Sequence, residues 1–192
     1  MSKVDHFTHE LNQIRNPKIK KFTEKAIESL PDYFFEVGAS STGKFHPQYA
    51  LGKEGLLRHT KAAVRIAIEL FRVDMFKYND NQKDMIISAL ILHDGGKSGI
   101  PKQKYTITEH PLVISNYIKS NDELNKILNE EQFKTITDCI ESHMGQWNYE
   151  YKTKKEVLPR PSKGIHNFVH LCDYLASRKC LEFNFDVEVT RE

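Results

Sequence analysis

The chain has 192 residues, of which 39% are hydrophobic and 28% charged, a balance typical of a soluble globular protein and not of a disordered chain. A formal net charge of +2 is too small to indicate binding to a nucleic-acid polymer. No apolar run approaches the roughly 20 residues of a membrane span, and the polar first residues lack the apolar middle of a signal peptide. We therefore expect one cytoplasmic domain over residues 1–192 and no membrane partner.

The first half of the chain alternates between helical and loop-like patterns. Apolar residues at helical spacing predict a helix over 18–30, which Pro31 ends. A loop-like stretch follows, with a short aromatic run at 33–37. A long helix is predicted over 54–72, and His59 lies on its inner, apolar stripe.

The next helix ends in an unusual way. Residues 81–92 are apolar on nearly every side, which predicts a helix buried by several neighbours. His93 and Asp94 follow directly, so a histidine and a carboxylate are carried into the interior side by side. Gly95 and Gly96 either end the helix or also let a substrate approach the backbone.

The second half contains three further predicted helices, over 108–120, 131–144 and 163–180. A proline in the first turn of the first of these is compatible with a helix start. The spacing of the second directs His143 inward. One stripe of the third carries the polar residues His166, His170, Asp173 and Ser177.

The end of the chain shows a different pattern. Residues 182–189 alternate between apolar and polar, which predicts a strand, and 33–37 is the best candidate for its partner. The expected fold is mainly α, with a helical core over about 54–180, an N-terminal helical extension and a small peripheral β element. Three cysteines without a C-x-x-C pair predict free thiols, of which Cys139 and Cys172 lie in apolar helical stretches.

Six inward-facing polar residues form one set across the predicted helices. A single histidine on an apolar face is ordinarily a hydrogen-bonded core residue. Burying four histidines with two aspartates, however, costs several kcal/mol unless every group is paired or bound. A metal ion would satisfy imidazole nitrogens and carboxylate oxygens together. The sequence therefore predicts a metal site made of His59, His93, Asp94, His110, His143 and Asp173.

The order His, His-Asp, His, His, Asp resembles the HD-domain superfamily of metal-dependent phosphohydrolases, a family of helical bundles. The similarity covers about residues 54–180. The segments that carry it are RHT at 58–60, LHDGGK at 92–97, EHPLVISNYI at 109–118, ESHMGQW at 141–147 and HLCDYLASR at 170–178. The stretch SSTGKFHPQYALGKEGLLRHT at 40–60 is also similar to small single-domain phage and bacterial members.

The resemblance implies a dinuclear site. One metal would be held by His59, His93, Asp94 and Asp173, and Asp94 would bridge to a second metal held by His110 and His143. Members with a single metal lack the two middle histidines. The alternative for His110 is a residue that only begins a helix. The implied cofactors are two divalent ions, among Mn, Fe, Co, Ni or Zn, with Mg also allowed.

The resemblance further implies hydrolysis of a nucleotide phosphoester through a metal-activated hydroxide, by a nucleotidase or a nucleoside triphosphate hydrolase. A phosphodiesterase of cyclic or linear small nucleotides is the alternative, and a catalytically inactive nucleotide-binding protein is a further one. A scaffold built around structural zinc is disfavoured, because six candidate ligands exceed the four that a closed zinc site needs. A homodimer is left open.

Asp94 and Lys97 are the expected catalytic residues, with Lys97 also contacting phosphate. Four further residues are candidates for substrate binding: Lys44, His46, Trp147 and His170. Lys44 and His46 share a polar loop with Ser41 and Thr42, and a solvated loop is the alternative interpretation. Trp147 either stacks on a base or closes the core. His166 and His170 are expected to hydrogen-bond to metal ligands or to contact substrate. For Arg160 and Arg178, a place on the surface is expected over phosphate binding.

Overall fold

α-Helices form most of the regular structure in this computed structural model, which describes residues 2–40, 43–44 and 46–191. The mainly helical class is thereby confirmed. Within the described residues the α-helices are α1 (Thr8–Leu11), α2 (Pro17–Ser29), α3 (Gly55–Leu70), α4 (Asp80–Leu92), α5 (His110–Lys119), α6 (Asp122–Asn125), α7 (Glu130–Ser142) and α8 (Gly164–Ala176). Short 3-10 helices span Val4–Phe7, Asp32–Phe35, Gln48–Ala50 and Gly145–Trp147.

Asparagine side chains set the starts of three long helices. The Asn16 side chain accepts hydrogen bonds from the backbone of Lys18 and Ile19 at the start of α2. Asn79 and Gln82 cap each other's backbone at the start of α4. Asn129 caps α7 in the same position. Each amide satisfies a backbone N–H that the helix itself leaves unpaired, so the helix begins at a defined residue.

Helix α4 is the centre of the fold. It packs against α2, α3, α7 and α8, and its residues from Asp84 to Leu92 are buried. This confirms the prediction of a helix covered on several sides. Because His93 and Asp94 follow α4 directly, they enter the middle of the molecule, where both are fully buried.

The predicted β element is wrong. Residues 33–37 begin within the 3-10 helix Asp32–Phe35, whose three consecutive aromatic side chains are all buried, so they do not alternate as a strand would. Residues 182–189 are irregular with a turn. The described β pairing is an isolated bridge between Tyr149 and Glu156.

The C-terminal tail packs without a partner strand because arginine side chains bind its backbone. The Arg65 guanidinium, nearly buried on α3, donates to the carbonyl oxygens of Asn184, Phe185 and Val187 at 3.0–3.2 Å. Three apolar residues of the alternating pattern, Phe183, Phe185 and Val189, pack against the core, whereas Val187 is exposed. The alternating pattern thus identified most of the packed side chains of the tail. It did not identify the groups that hydrogen-bond to its backbone.

Other features of the described chain agree with the sequence. Cys139 and Cys172 are buried free thiols, as predicted, and Cys180 is an exposed one. Among the described residues, no helix is both long and apolar enough to cross a membrane.

Candidate metal centre

Helix ends bring the six predicted ligands together. His59 lies inside α3, whereas His93 and Asp94 follow the last residue of α4. His110 begins α5, His143 follows α7, and Asp173 lies near the end of α8. Of the six, only Asp173 has a side chain that is measurably exposed, at 17%.

Asp94 lies between two pairs of imidazoles. Its Oδ1 atom is 2.9 Å from His110 Nε2 and 3.6 Å from His143 Nε2. Its Oδ2 atom is 3.5 Å from His93 Nε2 and 3.8 Å from His59 Nε2. Each carboxylate oxygen therefore faces its own pair of nitrogens, which is the arrangement a bridging ligand requires.

Asp173 completes one side of the cluster. Its Oδ1 atom is 2.9 Å from His59 Nε2 and 3.3 Å from His93 Nε2. Three overlapping triads have donor atoms that lie within 4.8 Å of one another. They are His59–His93–Asp94, His93–His143–Asp173 and Asp94–His110–His143.

Main-chain contacts fix the tautomers of three histidines. The Nδ1 atoms of His93, His110 and His143 lie 2.6, 2.8 and 2.7 Å from the carbonyl oxygens of Leu90, Ile107 and Ile140, each three residues earlier. Because a carbonyl oxygen only accepts, Nδ1 carries the proton in each neutral ring, and Nε2 then keeps its lone pair. All three lone pairs then point into the cluster, as in histidines that bind metal.

These lone pairs need a positive charge between them. The Nε2 atoms of His110 and His143 are 3.2 Å apart, and His110 Nε2 also faces a carboxylate oxygen at 2.9 Å. His93 Nε2 is buried and makes no hydrogen bond. Burying such groups unpaired is costly. The donor set therefore fits a bound cation, and the buried histidines and aspartates could hold a metal ion.

The electrostatics favour ionised Asp94 and Asp173 and a neutral His110, which are the protonation states that metal binding needs. Burial disfavours an ionised Asp94, but Lys97 and His93 outweigh it and hold the pKa of Asp94 well below its usual range. Burial also opposes ionisation of Asp173, whose pKa is nevertheless held well below its usual range by His59 and His93. Burial lowers the pKa of His110 to about 4. At neutral pH the carboxylates are thus charged and His110 is neutral.

His93 shows how strongly this cluster attracts positive charge. Burial acts to lower its pKa, but the carboxylates of Asp94 and Asp173 outweigh burial and raise the pKa overall. The pKa of His143, by contrast, is lowered by burial. The side of the cluster that faces both carboxylates is therefore the side where a cation is most stabilised.

Close packing after Asp94 explains one of the glycines. A Cβ atom on Gly96 would lie 2.9 Å from the His110 carbonyl oxygen and 3.1 Å from the Ile114 backbone nitrogen. The glycine therefore lets the start of α5 approach the end of α4, which places His110 beside Asp94. Gly96 therefore contacts α5, and it is not among the described residues that line the pocket beside the cluster.

Two predicted residues contact the cluster from outside. Lys97 Nζ lies 3.0 and 2.9 Å from the two oxygens of Asp94 and is partly exposed. His170 Nδ1 donates to the His143 carbonyl oxygen at 2.6 Å, so His170 fixes the main chain of a ligand and does not itself join the cluster. Gly145 permits this contact, because it has a φ of +58° and a Cβ there would lie 2.3 Å from the His170 ring.

An open pocket of about 280 Å³ adjoins the cluster. Lys97 and His110 line it on the cluster side, and Trp147 also lines it. Sequence reasoning missed Tyr149 and Tyr151, which line the same pocket. The signal was present in the aromatic alternation of WNYEY at 147–151, but the segment was not assigned a structure.

Of the remaining candidates that the structure describes, His46 contacts the cluster and the others lie outside it. His46 packs edge-on against the His59 ring, with centroids 5.1 Å apart, and burial and His59 lower its pKa to about 3, so it is neutral. Lys44 is exposed, while Ser41 and Thr42 lie outside the described residues. His166 and Arg160 line a separate cavity of about 190 Å³.

No protein-family model matches the chain, and no solved structure matches it significantly. The helical architecture and the buried histidine and aspartate cluster are compatible with an HD-like fold.

Proposed function

We propose that the protein is a metal-dependent phosphohydrolase that acts on a nucleotide phosphoester. The observation that carries this proposal is the position of Asp94 between two pairs of imidazole Nε2 atoms, with a lysine ammonium on both of its oxygens. Six donors are more than a closed structural zinc site uses, and the cluster borders an open pocket. Both features favour a site that works on a ligand over a purely structural one.

Two sets of residues would hold metal ions. His59, His93, Asp94 and Asp173 would hold one, and Asp94 with His110 and His143 would hold the other. Nitrogen-rich ligation suits Mn, Fe, Co, Ni or Zn better than Mg. When bound, such cations polarise a phosphoryl group and lower the pKa of a neighbouring water.

The chain's own residues would orient the substrate and the ligands. Lys97 Nζ reaches both the cluster and the pocket, so a phosphate that enters the pocket meets an ammonium that can donate to its oxygens. The carbonyl oxygens of Leu90, Ile107 and Ile140 keep three imidazoles in the ligating tautomer. In hydrolysis a water oxygen would bond to phosphorus, the ester P–O bond would break, and a proton would pass to the leaving oxygen.

The test is a product screen. The Mn²⁺-loaded protein is incubated with nucleoside mono- and triphosphates and with cyclic and linear dinucleotides, and products are identified by mass. We expect loss of phosphate or triphosphate from a nucleotide. Opened dinucleotides would move the assignment to a phosphodiesterase.

Variants separate this activity from contamination. Asp94→Ala should abolish turnover while circular dichroism still reports a helical fold, because the two triads that share Asp94 lose their common ligand. Asp74→Ala, which removes an exposed carboxylate outside the cluster, should retain activity. Full turnover by Asp94→Ala, or no turnover of any substrate by protein with confirmed bound metal, would contradict the proposal.

A further inference from the structure

Trp147 packs against a stack of side chains beside the pocket. Its indole ring is nearly parallel to the Tyr174 ring, with an interplanar angle of 12° and centroids 5.5 Å apart. The Arg178 guanidinium lies 4.2 Å from the Tyr174 ring centroid. Tyr174 itself does not line the pocket. Tyr174 therefore covers one face of the indole, and the remaining surface of Trp147, which is 39% exposed, borders the pocket.

The aromatic loop, residues 148–158, also lines the pocket, through Tyr149 and Tyr151. Buried Asn148 anchors its base: its side-chain amide donates to the Leu158 carbonyl oxygen, and its own carbonyl oxygen accepts from the backbone N–H groups of Val157 and Leu158. At the tip, Lys154 Nζ lies 4.2 Å from the Tyr151 ring centroid and 5.3 Å from that of Tyr149. The loop thus holds two tyrosines beside Trp147.

A cationic side chain and aromatic side chains both line the pocket. Lys97 is the charged group among the described residues that line it, and it lies where the pocket meets the metal-binding cluster. The aromatic residues that line it are Trp147, Tyr149 and Tyr151, and the Lys154 ammonium lies against the two tyrosine rings. A volume of about 280 Å³ is at the small end of ligand pockets, which suits one ring system with one phosphate.

We infer that Trp147 is the platform for a single nucleobase, so that the site takes a mononucleotide with its base on the indole and its phosphate at Lys97. This inference rests on the proposed function and names the residue that would recognise the base of the substrate. Stacking on an aromatic side chain tolerates any base because every base has a π-face. The platform thus selects for the presence of a base and does not distinguish one base from another.

Trp147 is the sole tryptophan, so its fluorescence reports directly on this contact. The full-length protein in a chelator, which prevents turnover, is titrated with AMP and with ribose 5-phosphate, which lacks the base. We expect AMP to quench the emission saturably and to bind on the order of tenfold more tightly than ribose 5-phosphate. Equal affinities, or saturation by AMP without any change in fluorescence, would overturn the inference.

Variants examined by calorimetry locate the contact. Trp147→Ala should weaken AMP binding about tenfold and leave ribose 5-phosphate unaffected, while Trp147→Phe should restore most of the affinity. Tyr117→Ala removes an aromatic of similar exposure outside the pocket and serves as the control. A linear dinucleotide that binds more tightly than AMP, and loses this advantage in Tyr151→Ala, would overturn the single-base assignment.

The two proposals fail separately. Hydrolysis that survives in Trp147→Ala with an unchanged KM for nucleotides would overturn the base platform and leave the phosphohydrolase standing. Quenching by AMP in a protein that hydrolyses no phosphoester would support the platform and overturn the proposed function.

Discussion

At the scale of single residues, the donor types were readable from the sequence but their orientation was not. The helical patterns indicated which histidines and aspartates enter the interior, and the resemblance added how they would divide between two metal ions. The sequence did not reveal that three imidazoles donate from Nδ1 to the carbonyl three residues earlier. That contact depends on backbone geometry at helix ends, which periodicity does not encode.

His110→Ala tests the two-sided arrangement around Asp94. The substitution removes one of the two imidazoles that face Asp94 Oδ1 and leaves His59, His93 and Asp173 in place. We expect the metal content, measured by elemental analysis after equilibration with Mn²⁺, to fall from two ions per chain toward one. His6→Ala, which lies outside the cluster, should not change the ratio. An unchanged ratio in His110→Ala would contradict a second site at these residues.

At the scale of elements, helix prediction succeeded where tertiary packing agreed with periodicity. All six predicted helices form, and only the last differs substantially, ending at Ala176 and not at residue 180. The predicted strand failed because a period-two pattern identifies the buried face but not the group that bonds the backbone. For residues 182–189 those groups include the Arg65 guanidinium, a contact distant in sequence.

The turn after His143 offers a test of how an element end positions a ligand. In Gly145→Ala, the new Cβ would meet the His170 ring at 2.3 Å and the backbone would keep a φ of +58°. We expect a loss of unfolding free energy above about 1 kcal/mol in urea denaturation, together with weaker metal binding, because His170 holds the His143 main chain.

Gly52→Ala is the matched control, since Gly52 has a φ of +67° but nothing within 4 Å of its Cβ position. The Gly52→Ala variant therefore has the same kind of backbone strain as Gly145→Ala but no steric clash with a neighbouring side chain. If Gly52→Ala and Gly145→Ala lose equal stability and bind metal equally well, His170 does not position His143.

At the scale of the whole molecule, the C-terminal tail packs against the N-terminal part of the described chain and against the start of α4. The Arg191 guanidinium is almost fully buried and contacts Asp80 and Asp84 near the start of α4 as well as the Gln13 carbonyl oxygen. His9 Nε2 donates to the Val189 carbonyl oxygen at 2.9 Å. The alternation of apolar residues showed that this tail packs, but nothing in the local sequence indicated arginines as its anchors.

Deletion of residues 181–192 should therefore lower the melting temperature by several degrees, since it exposes apolar surface and leaves the buried Arg65 without carbonyl partners. Arg65→Met, which keeps much of the side-chain volume but donates no hydrogen bond, should lower it by a smaller amount. Thermal unfolding followed by circular dichroism measures both. An unchanged melting temperature on deletion would mean that the tail is not docked in solution.

Helix α8 carries Asp173, which faces the metal-binding cluster, and Tyr174, which supports the Trp147 platform. A mutation that rotates α8 would disturb the proposed metal site and the proposed base platform at once, so evolution cannot readily tune either one through this helix alone. The aromatic loop is attached at its base by Asn148 and contributes no candidate metal ligand. New substrate preferences should arise most easily there, and a mutant library confined to residues 149–157 is where directed evolution would find them.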